Sequence, residues 1–163
     1  MSLSILVWLA VGAYALHIVE EHVLGWFGWA RKTMNLNMEW DTYVTIEAAF
    51  VVLGVVAAMV ASAMPMAGLA FVALLVINVT FFHLLPMAMS GGRFSPGAIS
   101  GVLFYVIGWL ALTSGSATAT NLIWGVVIGA IVILWPMLLL KLKREAYFRG
   151  EAAVAKKQAR RRK

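Results

Sequence analysis

Long apolar runs separated by short polar clusters form the basic pattern of this chain. Five runs approach the roughly 20 residues that carry a helix across a bilayer. They cover about 3–23, 42–63, 66–88, 97–114 and 121–141. The runs are too long for strands and lack the alternation of lipid-facing barrel strands. The second and third meet at a tight turn containing Pro65, and the polar "SGSATATN" joins the fourth to the fifth. The pattern predicts an all-α integral membrane protein, a bundle of five transmembrane helices forming one domain over 1–145. A basic cytoplasmic tail, 146–163, is expected to be disordered.

Two longer connections carry more information. "GWFGWARKTMNLNMEWD" (25–41) mixes Trp26, Phe27, Trp29 and Trp40 with Arg31 and Lys32, the composition of an interfacial segment. "SGGRFSP" (90–96) reads as a turn before a helix start, with Pro96 suited to the first helical turn. "AYA" at 13–15 imitates a signal-peptidase site, but no Lys or Arg precedes the apolar run. The first span is therefore expected to be retained.

Composition strengthens the membrane reading. Hydrophobic residues make up 63% and charged residues 12% of the 163 positions, and the mean hydropathy is +0.90. Soluble domains carry about 25% charged residues. Cysteine is absent, which excludes disulfides, thiolate ligands and Cys nucleophiles. The net charge of +6 follows topology: all 13 Lys and Arg fall at Arg31 and Lys32, at Arg93, and from Lys141 to Lys163. In a five-span chain these three places share one side, so the positive-inside rule puts the N-terminus outside and the C-terminus in the cytoplasm. A bacterial inner (plasma) membrane is the expected location. The tail "AKKQARRRK" suits anionic lipid, and no nucleic-acid motif is present.

That orientation collects the intramembrane polar residues in one layer. His17 lies roughly 20 Å from the outer start of the first span, and Glu47 about 8 Å from the cytoplasmic start of the second. His83 lies late in the third span and Ser100 one turn into the fourth, at similar depth. His17, Glu20 and Glu21, spaced i, i+3 and i+4, share a helix face. His22 is rotated about 140° from His17 and has a lesser role. Asn78 and His83 are also five apart, so on a regular helix they cannot face one point equally well. Asn78 is expected as a supporting hydrogen-bond group or substrate contact.

These residues fall into three short elements: "HIVEE" (17–21), "NVTFFH" (78–83) and "PGAIS" (96–100). Together they resemble the HXXEE family of small multi-span membrane proteins of unknown function. Ser100 stands where that family's pattern has Thr, keeping the hydroxyl. The resemblance covers roughly residues 14–110 and implies a family without supplying a reaction.

The chemistry comes from the residue types. His17 and His83 with Glu20, Glu21 and Glu47 form a nitrogen and oxygen ligand set suited to a divalent metal, iron or zinc, one or two per chain. Intramembrane carboxylates are costly unless neutralised, and a metal neutralises them. The expected function is a metal-dependent enzyme, hydrolytic or oxidative, acting on a lipid or other hydrophobic substrate, with Glu20 and Glu21 as catalytic groups. Asn78, Ser100 and His22 would support the site. One alternative is a metal-free acid–base isomerase or cyclase of isoprenoid-type lipids, with Trp8, Trp109 and Trp124 turned inward to stabilise a cation. Another is a non-enzymatic haem-binding, ion-path or structural subunit.

Overall fold

The first helix of the computed structural model, α1 (Leu3–Leu24), carries a continuous inward stripe. Leu3, Leu6, Val7, Ala10, Ala13, Tyr14, His17 and Glu21 are buried, at spacings of three and four that keep them on one face. The structure describes residues 1–36 and 38–139. Around α1 stand α3 (Trp40–Val60), α4 (Pro65–Met89) and α5 (Ala98–Leu112), which all contact it, with α6 (Ala119–Leu139) outside α4. A short helix, α2 (Trp26–Thr33), links α1 to α3. All regular structure among the described residues is helical.

Four of these helices, α1, α3, α4 and α6, are long and apolar enough to cross a membrane. The expected fourth span, 97–114, is instead the 15-residue α5, about 22 Å long and short of the bilayer core. Both of its ends have local causes. Gly97 has a left-handed backbone, φ 91°, immediately before the first turn, while Thr113 and Ser114 turn their hydroxyls back onto the carbonyls of Leu110 and Ala111. The final residues of the expected fifth span and the whole basic tail lie outside the described residues.

Small residues set the helix spacing, as expected where lipid removes the hydrophobic drive between helices. A Cβ on Gly129 would sit 2.6 Å from the Ala70 carbonyl oxygen and 2.9 Å from the Leu74 nitrogen, so α6 rests directly on the α4 backbone. Gly54 admits the Phe71 ring and Gly101 admits Val79. Outward positions are apolar, including Val52, Met59, Ile99, Trp109 and Trp135. Trp8, Trp109 and Trp124 also face outward, so none lines an interior cation site.

The lower part of α4 departs from regular geometry. Between Pro65–Asn78 and Leu85–Met89, residues Val79–Leu84 form a π-helical segment, in which the Leu85 N–H bonds back to Thr80. Pro86 supplies a reason: it has no N–H and crowds the preceding turn, which a wider turn relieves. Residues five apart are thereby brought close to one line, correcting the expectation that Asn78 and His83 face different directions.

Gly129→Val should push α6 off α4 against backbone that cannot yield. We expect thermal unfolding in detergent to show a loss of about 1–3 kcal/mol, with Gly12→Ala, where an added Cβ meets nothing, as the neutral control.

Candidate functional site

Three buried side chains from two helices meet at one point. His17 and Glu21 lie one turn apart on α1, and His83 comes from the π segment of α4. Glu21 Oε1 is 3.5 Å from His17 Nε2 and 3.2 Å from His83 Nε2. The three ligand atoms fall within 4.8 Å of one another, and the imidazole centroids are 4.8 Å apart. All three residues are almost wholly enclosed, at 0%, 2% and 0% exposure.

Neighbouring groups decide where the imidazole hydrogens sit. His83 Nδ1 lies 2.7 Å from the Pro96 carbonyl oxygen and 3.2 Å from Ser95 Oγ. A carbonyl can only accept, so Nδ1 carries the hydrogen and Nε2 turns its lone pair toward Glu21. His17 reaches the same tautomer by another route. Ser100 Oγ is 3.4 Å from the Gly97 carbonyl and 3.0 Å from His17 Nδ1. With its hydrogen on the carbonyl the hydroxyl accepts from Nδ1–H, the arrangement that turns the Nε2 lone pair toward Glu21. The Asn78 side-chain amide lies 3.4 Å from His17 Nε2. Two imidazole Nε2 atoms and one carboxylate oxygen thus converge, and His83 Nε2 has no hydrogen-bond partner.

The second oxygen of Glu21 is fixed from α3, where Tyr43 donates its hydroxyl to Oε2 at 2.8 Å. Below this layer Tyr14 runs nearly parallel to His17, with centroids 6.1 Å apart, and meets Phe50, Phe71 and Phe104. Above it the Trp26 ring lies 5.6 Å from both His83 and Tyr43. The site is therefore polar only at its centre.

Glu20 and Glu47, expected beside the other ligands, stand elsewhere. Glu20 Oε1 accepts from the Gly97 and Ile99 N–H groups at 2.8 and 3.2 Å, and Oε2 from Ser100 N–H at 2.7 Å. This carboxylate caps the positive end of α5, where the first backbone N–H groups have no helical partner. Glu47 Oε2 accepts from Tyr14 at 2.6 Å. His22 is exposed, with Nδ1 on its own helix at Ile18 and its ring on Trp40 and Tyr43. Ser100 and Asn78 do support His17.

Gly97 is the tightest point of the arrangement. A Cβ there would lie 2.6 Å from His83 Cε1, 2.7 Å from His17 Cε1 and 2.9 Å from His83 Nδ1. Pro96 offers its carbonyl to His83 while Gly97 lets the chain pass both rings. The sequence reading missed Tyr14, Tyr43, Trp26 and Ser95. Tyr14 could have been found as the i−3 neighbour of His17, and Tyr43 as the i−4 neighbour of Glu47. Trp26 looked interfacial and is 5% exposed. Nothing local in the sequence marks Ser95 as buried.

The fold and the site define a polytopic helical protein with a polar His/Glu cluster inside its bundle. Residues 8–112 match the family described as "Protein of unknown function with HXXEE motif". The chain belongs to the HXXEE family. Neither curated proteins nor solved structures give a match.

Gly97→Ala and Gly91→Ala separate backbone strain from contact with the site. Both glycines have positive φ, but an added Cβ meets nothing at Gly91. Gly97→Ala should cost at least about 1 kcal/mol more, because it alone displaces the imidazoles. Thermal unfolding of the two variants in detergent measures the difference.

Proposed function

We propose that His17, Glu21 and His83 bind one divalent metal ion, and that the centre belongs to an enzyme acting on a lipid or other hydrophobic substrate. The observation that carries this reading is the convergence of two buried imidazole Nε2 atoms on one carboxylate oxygen. Electron-rich atoms held this close in an apolar bundle repel one another unless something positive lies between them. One proton can serve only one of the imidazoles. A cation serves all three groups. Tetrahedral zinc with bonds of about 2.0–2.2 Å has ligand–ligand edges of about 3.3–3.6 Å. The two nitrogen–oxygen separations, 3.5 and 3.2 Å, are close to that range.

The donor set suggests the kind of centre. Two His and one carboxylate with open positions are the ligands of catalytic zinc and of non-haem iron, whereas structural zinc sites close all four positions. The Nδ1–H anchors at Pro96 and Ser100 are the outer contacts that hold metal-ligating imidazoles in place. Such an ion would activate water or dioxygen, so hydrolysis and oxidation both fit this centre. The membrane setting supports a hydrophobic substrate. An apolar cleft of about 440 Å³ between α4, α5 and α6, lined by Val72, Val76, Tyr105 and Trp109 among others, suits a chain, although no ligand residue lines it.

The isomerase reading is less well supported, since the tryptophans it would use face outward. The proposed orientation keeps the site in the cytoplasmic half. The polar layer lies toward the end of the bundle that carries Arg31, Lys32 and Arg93, the side assigned to the cytoplasm by the positive-inside rule.

Metal content of protein purified without chelator, or reconstituted with zinc or ferrous iron, tests the proposal by mass spectrometry. We expect about one equivalent per chain. His17→Ala, Glu21→Ala and His83→Ala should each lower affinity at least 100-fold, while Glu20→Gln and His22→Ala keep the metal. A folded parent that takes up neither ion overturns the reading.

A further inference from the structure

A small cavity lies beside the cluster, between α2, α3, α4 and α6. Its volume is about 30 Å³, room for about two water-sized groups. Trp26, Tyr43, Glu47 and Asn78 line it, and Ile133 and Pro136 of α6 help form its apolar wall. Asn78 belongs to both places, since its amide nitrogen touches His17 Nε2.

The polar groups of this cavity are incompletely used. The indole N–H of Trp26 is buried and has no acceptor. A buried donor left unpaired costs about 1–3 kcal/mol, so a structure that holds one beside a cavity calls for an acceptor inside it. Among the described residues, the hydrogen bond to Glu47 comes from Tyr14 and occupies Oε2, leaving Oε1 to accept. The Tyr43 hydroxyl is committed to Glu21. The residues lining the cavity thus include a Trp26 donor without an acceptor, the Glu47 carboxylate and the Asn78 carboxamide, with apolar surface around them. The complement of Trp26 and Glu47 is a group that both donates and accepts.

We propose that this cavity is a hydroxyl-binding subsite, in which an O–H group donates to Glu47 and accepts from the Trp26 indole N–H. The hydroxyl is that of water or of the end of a hydrophobic alcohol; the volume excludes anything much larger at this point. A ketone or ester oxygen would satisfy Trp26 and bring no donor to Glu47 Oε1. A hydrocarbon end would satisfy neither. The subsite's role as the place where the reacting hydroxyl waits beside the metal rests on the reading above, whereas its existence does not.

The test uses metal-free full-length protein in detergent, carrying ¹⁵N-labelled tryptophan, with 1-dodecanol as probe and dodecane as control. Trp26→Phe, which keeps an aromatic ring and removes the donor, identifies the Trp26 indole resonance by its loss. We expect that resonance at a hydrogen-bonded shift that moves in Glu47→Gln. A saturable response to dodecanol and not to dodecane assigns the subsite to an alcohol, with affinity weakened about fivefold to tenfold in Glu47→Gln, which keeps the reporting indole. A hydrogen-bonded resonance indifferent to dodecanol, and exchanging readily in deuterated water, assigns it to water. A resonance at the free-indole shift under all conditions, or one that ignores Glu47→Gln and resists exchange, overturns the proposal. Metal uptake measured on the same preparation keeps failure of the subsite distinct from failure of the metal centre.

Discussion

The structure depends on holding one carboxylate against two imidazole nitrogens inside an apolar bundle. Glu21 is 2% exposed, and Oε1 has a ring nitrogen on either side. Left to themselves these atoms would separate or seek water, since an unneutralised charge at this depth costs at least several kcal/mol. They stay together because each is restrained from behind: His83 by Pro96, His17 by Ser100, Glu21 by Tyr43. Those restraints come from two helices and one turn, so the arrangement cannot form until α1, α3, α4 and α5 are assembled. The polar centre specifies how the bundle closes, and the apolar contacts around it supply the area.

The two adjacent glutamates of the motif have different tasks because neighbouring helix positions point about 100° apart. Glu21, one turn from His17, faces inward. Glu20 faces α5 and binds three of its N–H groups. This second task is tied to the first, because the backbone that Glu20 holds is the same Gly97 that lies against both imidazoles. A helix of 15 residues is thereby fixed by its N-terminus to the centre of the protein. The separation of "HIVEE" from "PGAIS" by about 80 residues disappears at this contact.

The long spans and the shared depth of the polar residues were legible in the sequence, because hydropathy and helix rise are local quantities. The His17–Glu21 pair was legible for the same reason. Choosing among three glutamates was not, since all three are intramembrane carboxylates and only their partners on other helices distinguish them. Glu47 faces Tyr14 across 33 residues, and Glu20 faces the α5 terminus. The relation between Asn78 and His83 failed for a definite reason: their angular separation was taken from regular α-helix geometry, and the chain widens to a π turn between them. Pro86 was the available warning. The short fourth helix was hidden because the expected span 97–114 counted Thr113 and Ser114 within it, whereas their hydroxyls turn back onto the last carbonyls of the helix.

The placement of Glu20 and Glu47 also bears on how many ions such a centre can take. A dinuclear site in a helical bundle needs bridging carboxylates beyond the terminal ligands. Glu20 could bridge only by leaving three backbone N–H groups in a low-dielectric setting, where each unpaired donor costs about 1–3 kcal/mol. Glu47 lies outside the group whose ligand atoms converge, and moving it between the imidazoles would draw Oε2 away from the Tyr14 hydroxyl. Both carboxylates are therefore engaged by donors they would leave if they moved. With Glu21 alone between the imidazoles, the proposed centre has three protein ligands and one ion. Asn78 touches His17 and also lines the small cavity, where Trp26 and Glu47 are further polar groups.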